Sequence, residues 1–187
     1  MNKFIFTTAF LFASIFSLAA QKLEIENQNS EPLFIIKMTG ARSDLTAGNI
    51  KLHCSNRPGN KTYLDKSNTI KLRTSVKLNH ISIYSHPENK QLYRISKKIN
   101  RFTITSPKGH NYFIRINGNG AKLTDGNSKV IAKANYNPAS NNIKCSDDKS
   151  LPGLTYKWSS ANFAGIIWLI NEIPSNVRMV MINELIR

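Results

Sequence analysis

Between Lys51 and Arg115 the chain holds fourteen Lys or Arg residues against two acids, Asp65 and Glu88. That is +12 of the chain's formal +15 in about one third of its 187 residues. Such a cluster attracts anions through a long-range field that salt screens. Period-two alternation indicates which cations face solvent. With Ile70 and Leu72 inward, Lys71 and Arg73 face outward. Tyr93 and Ile95 inward put Arg94 outward, and Lys98 follows if the strand continues. Phe102 and Ile104 inward put Arg101 outward, and Tyr112, Ile114 and Ile116 do the same for Phe113 and Arg115.

The expected binding surface is therefore Lys71, Arg73, Arg94, Lys98, Arg101, Phe113 and Arg115. Phe113 could stack on a base or a sugar. The expected partner is an anionic glycan, lipopolysaccharide or phospholipid surface, or else a protein. No nucleic-acid-binding motif specifies DNA or RNA. The competing reading is a solvated face that keeps a β protein soluble and blunts its sheet edges.

Other reactive side chains form no complete catalytic arrangement. The sequence has no G-x-S-x-G elbow, no H-E-x-x-H pair and no phosphate-cradling glycine loop. His53, His80, His86 and His110 are not spaced as metal ligands on one element, although His86 and His110 both fall in expected turns. Asp147 and Asp148 would diverge in an extended segment. No metal or cofactor is expected. A binding role is expected ahead of an exported hydrolase or a structural subunit of an envelope assembly.

Two cysteines, Cys54 and Cys145, are expected to form a disulfide. That expectation depends on the N-terminus. Met1-Asn2-Lys3 precedes an apolar run from Phe4 to Phe16 and a small-residue exit, Ser17-Leu18-Ala19-Ala20. This order reads as a secretory signal peptide over residues 1–20. The run is short for a membrane span, which takes about 20 apolar residues. The expected destination is the periplasm or the extracellular space of a bacterium. Removing Lys3 with the signal leaves the mature chain at +14.

The elements that must position these residues read as strands. Leu23–Glu26, Leu33–Met38, Ile50–Cys54 and Thr69–Arg73 alternate apolar with polar residues. From Ile81 to Ile116, strands and turn clusters alternate about every ten residues, which indicates an antiparallel meander. Two more short strands are expected near Lys122 and Val130. Asn135 to Gly153 reads as a loop. Phe163–Ile170 and Val177–Ile182 read as two strands joined at Pro174-Ser175-Asn176, with a short C-terminal helix as the alternative. Trp168 is expected in the core. Residues 21–187 are expected to form one all-β domain, an antiparallel sandwich or alternatively a flattened barrel.

Overall fold

A computed structural model describes residues 21–186, apart from residues 41, 56–58, 148–151 and 159. The expected signal peptide and Asp148 lie outside the described residues. Fourteen strands follow one another: β1 Gln21–Glu26, β2 Pro32–Thr39, β3 Arg42–Ala47, β4 Ile50–Ser55, β5 Lys61–Leu64, β6 Ile70–Lys77 and β7 His80–Ser85. Then come β8 Gln91–Lys98, β9 Arg101–Thr105, β10 Asn111–Asn117, β11 Gly120–Asp125, β12 Val130–Asn137, β13 Asn142–Asp147 and β14 Pro152–Lys157. A 3₁₀ helix, Ala164–Leu169, and an α-helix, α1, Ser175–Leu185, complete the fold.

Every strand pairs antiparallel with its sequence neighbours, and β1 pairs with β14 through Ile25↔Tyr156 and Glu26↔Thr155. That last pairing closes the sheet into a barrel. The all-β expectation and its barrel alternative therefore hold, and the two-sheet sandwich is replaced. Period-two alternation is the same in both architectures, so only the pairing of the first and last strands separates them.

The turns repeat one device. Asn27, Asp65 and Asp125 each place Oδ1 to accept the backbone N–H two and four residues on, at 2.8–3.0 Å. Side-chain acceptors of this type fix a tight turn without help from the core. The region from Asn135 to Gly153, expected as a loop, instead contributes the end of β12, all of β13 and the start of β14. Among its described residues only Ile143 and Cys145 are buried, too few to show an apolar alternation. The 3₁₀ helix packs against β12, where the small inward residues Ala132 and Ala134 leave room.

The C-terminus is helical, which corrects the two-strand expectation. The Pro174 carbonyl accepts from Val177 and Arg178 N–H groups at 3.0 Å, opening α1 where a hairpin turn was expected. Val177 and every residue from Met179 to Leu185 are buried. A helix enclosed all round carries no polar stripe, so its sequence lacks the periodicity that reveals surface helices. Fourteen strands enclose more space than side chains alone can fill, since about eight already suffice for a filled interior. The helices occupy that space.

The core lines the inside of the wall. Leu23, Ile25, Phe34, Ile36, Leu45, Ile81, Ile83, Ile95, Ile104 and Ile114 are fully buried. Trp168 is half-buried, stacked on Phe34 with ring centroids 5.1 Å apart. The Arg178 guanidinium lies 4.6 Å from the Trp168 ring centroid and donates to the Trp168 carbonyl. Gly165 sits against the ring of Tyr156, where an added Cβ would fall 2.4 Å from a ring carbon. Its role is the close approach of the 3₁₀ helix to β14.

Cys54 and Cys145 are buried and no disulfide joins them, which corrects the expected disulfide. They lie on β4 and β13, five strand positions apart around the ring. Neighbouring strands are about 4.8 Å apart, whereas a disulfide needs Cα atoms within about 7 Å. Asn183 of α1 faces Cys54, its Nδ2 donating to Sγ at 3.6 Å. Burial pushes the Cys145 thiol pKa far above its usual value.

Candidate functional site

The register of four hairpin and strand contacts builds a line of cations on the outer wall. Lys98 of β8 is directly opposite Arg101 of β9. Arg101 is opposite Arg115 of β10, and Arg115 is opposite Lys122 of β11. Lys122 is opposite Lys133 of β12. Five consecutive strands thus carry five cations at one rung, about 4.8 Å apart from strand to strand. Four of them are exposed, and Arg101 is half-buried. Among the described residues none of the five makes an ion pair.

Like charges directly opposite on one sheet face repel and destabilise the pair. A ladder of five stores that repulsion repeatedly. An anion spanning the rung relieves it. Phe113 lies on the same face of β10, two residues before Arg115, opposite Thr103 and Thr124. The Arg101 guanidinium covers its ring at 4.3 Å from the centroid, a cation–π contact that holds the arginine in place.

Of the seven residues expected at the surface, Lys98, Arg101, Phe113 and Arg115 come together. Lys71, Arg73 and Arg94 do not join the rung. Lys71 is paired with Asp65, Nζ to Oδ2 at 3.1 Å. Arg73 lies on β6 between Thr62 and Tyr84. Arg94 lies on β8 between Ser82 and Thr105, where with Lys77 it adds to desolvation in holding the His80 pKa below its usual value. Lys122 and Lys133 were missed. Their outward direction follows from the alternation of Ala121, Leu123, Ala132 and Ala134, but their place on the rung needs the register across three hairpins.

The outer face is charged at this rung while the inner face is apolar, with Ile114, Leu123 and Ala132 buried beside Arg115, Lys122 and Lys133. A membrane-spanning barrel carries the opposite arrangement, an apolar band outside.

A second cluster lies inside the wall. Glu184 of α1 accepts from Lys61 Nζ at 2.5 Å on Oε2, and from Tyr63 OH at 2.5 Å and Thr74 Oγ1 at 3.2 Å on Oε1. Asn183 Nδ2 donates to the Tyr63 hydroxyl at 2.8 Å. All these side chains are buried. Desolvation, then the Glu184 carboxylate, raises the Tyr63 pKa well above the ordinary tyrosine value. The arrangement joins β5 and β6 to the last turn of α1, so its chemistry is that of a satisfied buried ion pair.

Two clefts contain a histidine and a carboxylate, two of the groups a hydrolase needs. One of about 690 Å³ contains His53 and Asp44, whose carboxylate is held by Arg42 at 2.7 Å. One of about 730 Å³ contains His110, Asp125 and Glu172, with Asp125 Oδ1 already capping its turn. Among the described residues neither is lined by a serine or a cysteine. Among the described residues no three His, Cys, Asp or Glu side chains are grouped to hold a metal.

No known protein family, curated protein or solved structure matches the chain.

Proposed function

We propose that this chain is an exported binding protein whose outer wall recognises an anionic polymer or surface along the rung from Lys98 to Lys133. One observation carries the reading: five cations stand directly opposite one another on five consecutive strands. Such an arrangement works against the fold, and a polyanionic partner would relieve its repulsion. The partner's charges must recur along a line or over a surface, since a single compact anion reaches only neighbouring rung positions.

Retention on immobilised heparin across a salt series tests this. Binding through several Lys and Arg side chains weakens steeply as salt rises, because screening and counterion release act on each contact. The expected result is strong retention at low salt and a steep decline with added salt. Weak retention that does not depend on salt would contradict the reading.

A further inference from the structure

We infer that the end of the barrel bearing the β6–β7 and β8–β9 turns docks on an anionic lipid bilayer, with Leu78 and Ile99 entering its interface. This rests on the anion-binding reading and names the partner. Leu78 and Ile99 are 94% and 97% exposed, whereas the next most exposed large apolar residue among the described residues, Ile50, is 37% exposed. Each sits at the tip of a two-residue turn. Lys77 and His80 flank Leu78-Asn79, and Lys98 and Arg101 flank Ile99-Asn100.

The two tips are fixed side by side. Lys97 N–H donates to the Asn79 carbonyl at 2.7 Å, and Ile116 N–H donates to the Asn100 carbonyl at 2.9 Å. His80 is opposite Ser96, so Leu78 lies level with Lys98, where the cationic rung begins. Two strand spacings, about 10 Å, separate the tips. The charge around them has one sign. From Lys71 to Thr124 the sequence has one acid, Glu88, and it lies in the β7–β8 turn at the opposite end.

Fully exposed aliphatic tips beside a cationic collar match a surface with an anionic outer layer and an apolar interior. A soluble polyanion answers the charge but offers nothing to Leu78 and Ile99. Burial of two aliphatic side chains adds a component that salt does not screen, while the rung adds one that it does.

The test uses sedimentation with large vesicles of phosphatidylcholine alone or with about 30% phosphatidylglycerol, and heparin retention in parallel. The variants are Leu78→Ser with Ile99→Ser, and Arg101→Ser with Arg115→Ser and Lys122→Ser. Circular dichroism confirms folding, and the exposed tips make loss of fold no part of the expectation for the first variant. The protein is expected to bind the anionic vesicles only. The tip variant is expected to bind them about tenfold more weakly or worse, with heparin retention unchanged. The rung variant is expected to lose both. Wild-type vesicle binding by the tip variant would overturn the bilayer inference alone. So would heparin retention by the wild type without vesicle binding. Retention of both activities by the rung variant would overturn the anion-binding reading beneath it.

Discussion

Arg101 and Arg115 face each other across β9 and β10 as a directly opposed pair, with Phe113 beneath the Arg101 guanidinium. Lys98 and Lys122 extend the same rung on either side. The pair is a cost to the barrel and, in the proposed function, the centre of the binding surface.

Replacing Arg115 by Ser is therefore expected to raise stability while weakening polyanion binding. Arg115 opposes both Arg101 and Lys122, and each like-charge opposition removed is worth about 0.2–1 kcal/mol. Thermal unfolding at low salt should show a higher midpoint for the variant, and added salt should narrow the gap by screening the wild-type repulsion. A lower midpoint at every salt concentration would show that Arg115 makes a stabilising contact instead.

Lys61 and Glu184 give the opposite sign. Lys61→Met leaves a buried carboxylate without its cation, and breaking a buried pair costs about 3–5 kcal/mol. Changing both, Lys61→Met with Glu184→Gln, should recover a large part of that loss. Denaturant unfolding of the two single variants and the double variant measures the coupling. Additive losses would mean that the contact in the interior does not link β5 to α1 energetically.

Gly165→Ala tests how closely the 3₁₀ helix approaches β14. The added carbon meets the buried Tyr156 ring, which donates its hydroxyl to the Asn162 carbonyl at 2.9 Å. Overpacking of this kind costs about 1–3 kcal/mol. Chemical unfolding should show the loss, and a Tyr156→Leu background should reduce it.

Stability should also fall at alkaline pH. Desolvation raises the pKa values of Tyr63 and Tyr156 well above the ordinary value of 10.0. A folded-state pKa above the unfolded one means that the native state holds the proton more tightly. The resulting stability is complete below about pH 10 and declines as pH rises above it. Tyrosinate absorbance during an alkaline titration should therefore show two tyrosines that ionise only with unfolding. Full ionisation of every tyrosine in the folded protein would contradict this.

The wall of this fold was legible because its strands alternate strongly. Ile81–Tyr84, Arg101–Thr105 and Tyr112–Ile116 face as their patterns indicate, and Asp125-Gly126 marks its turn. Closure was not legible, since it depends on Ile25 meeting Tyr156 across the length of the chain. The helices were hidden for a different reason: α1 is enclosed by the barrel and has no polar face to set a 3.6-residue period. The candidate surface was half legible. Alternation oriented Lys98, Arg101 and Arg115, but orientation alone could not separate them from Lys71, Arg73 and Arg94. Register did that, and it added Lys122 and Lys133. The disulfide expectation rested on compartment and cysteine count, neither of which reports distance.

The most direct test of the central claim compares two variants of equal charge in heparin affinity at one low salt concentration. Arg101→Ser, Arg115→Ser and Lys122→Ser remove three cations from the rung. Lys37→Ser, Lys51→Ser and Lys66→Ser remove three from β2, β4 and the β5–β6 turn, around the cleft that contains His53. The account predicts that the first variant loses most of its affinity and the second stays close to wild type. Equal losses in both would show that net charge, and not the rung, binds the polyanion.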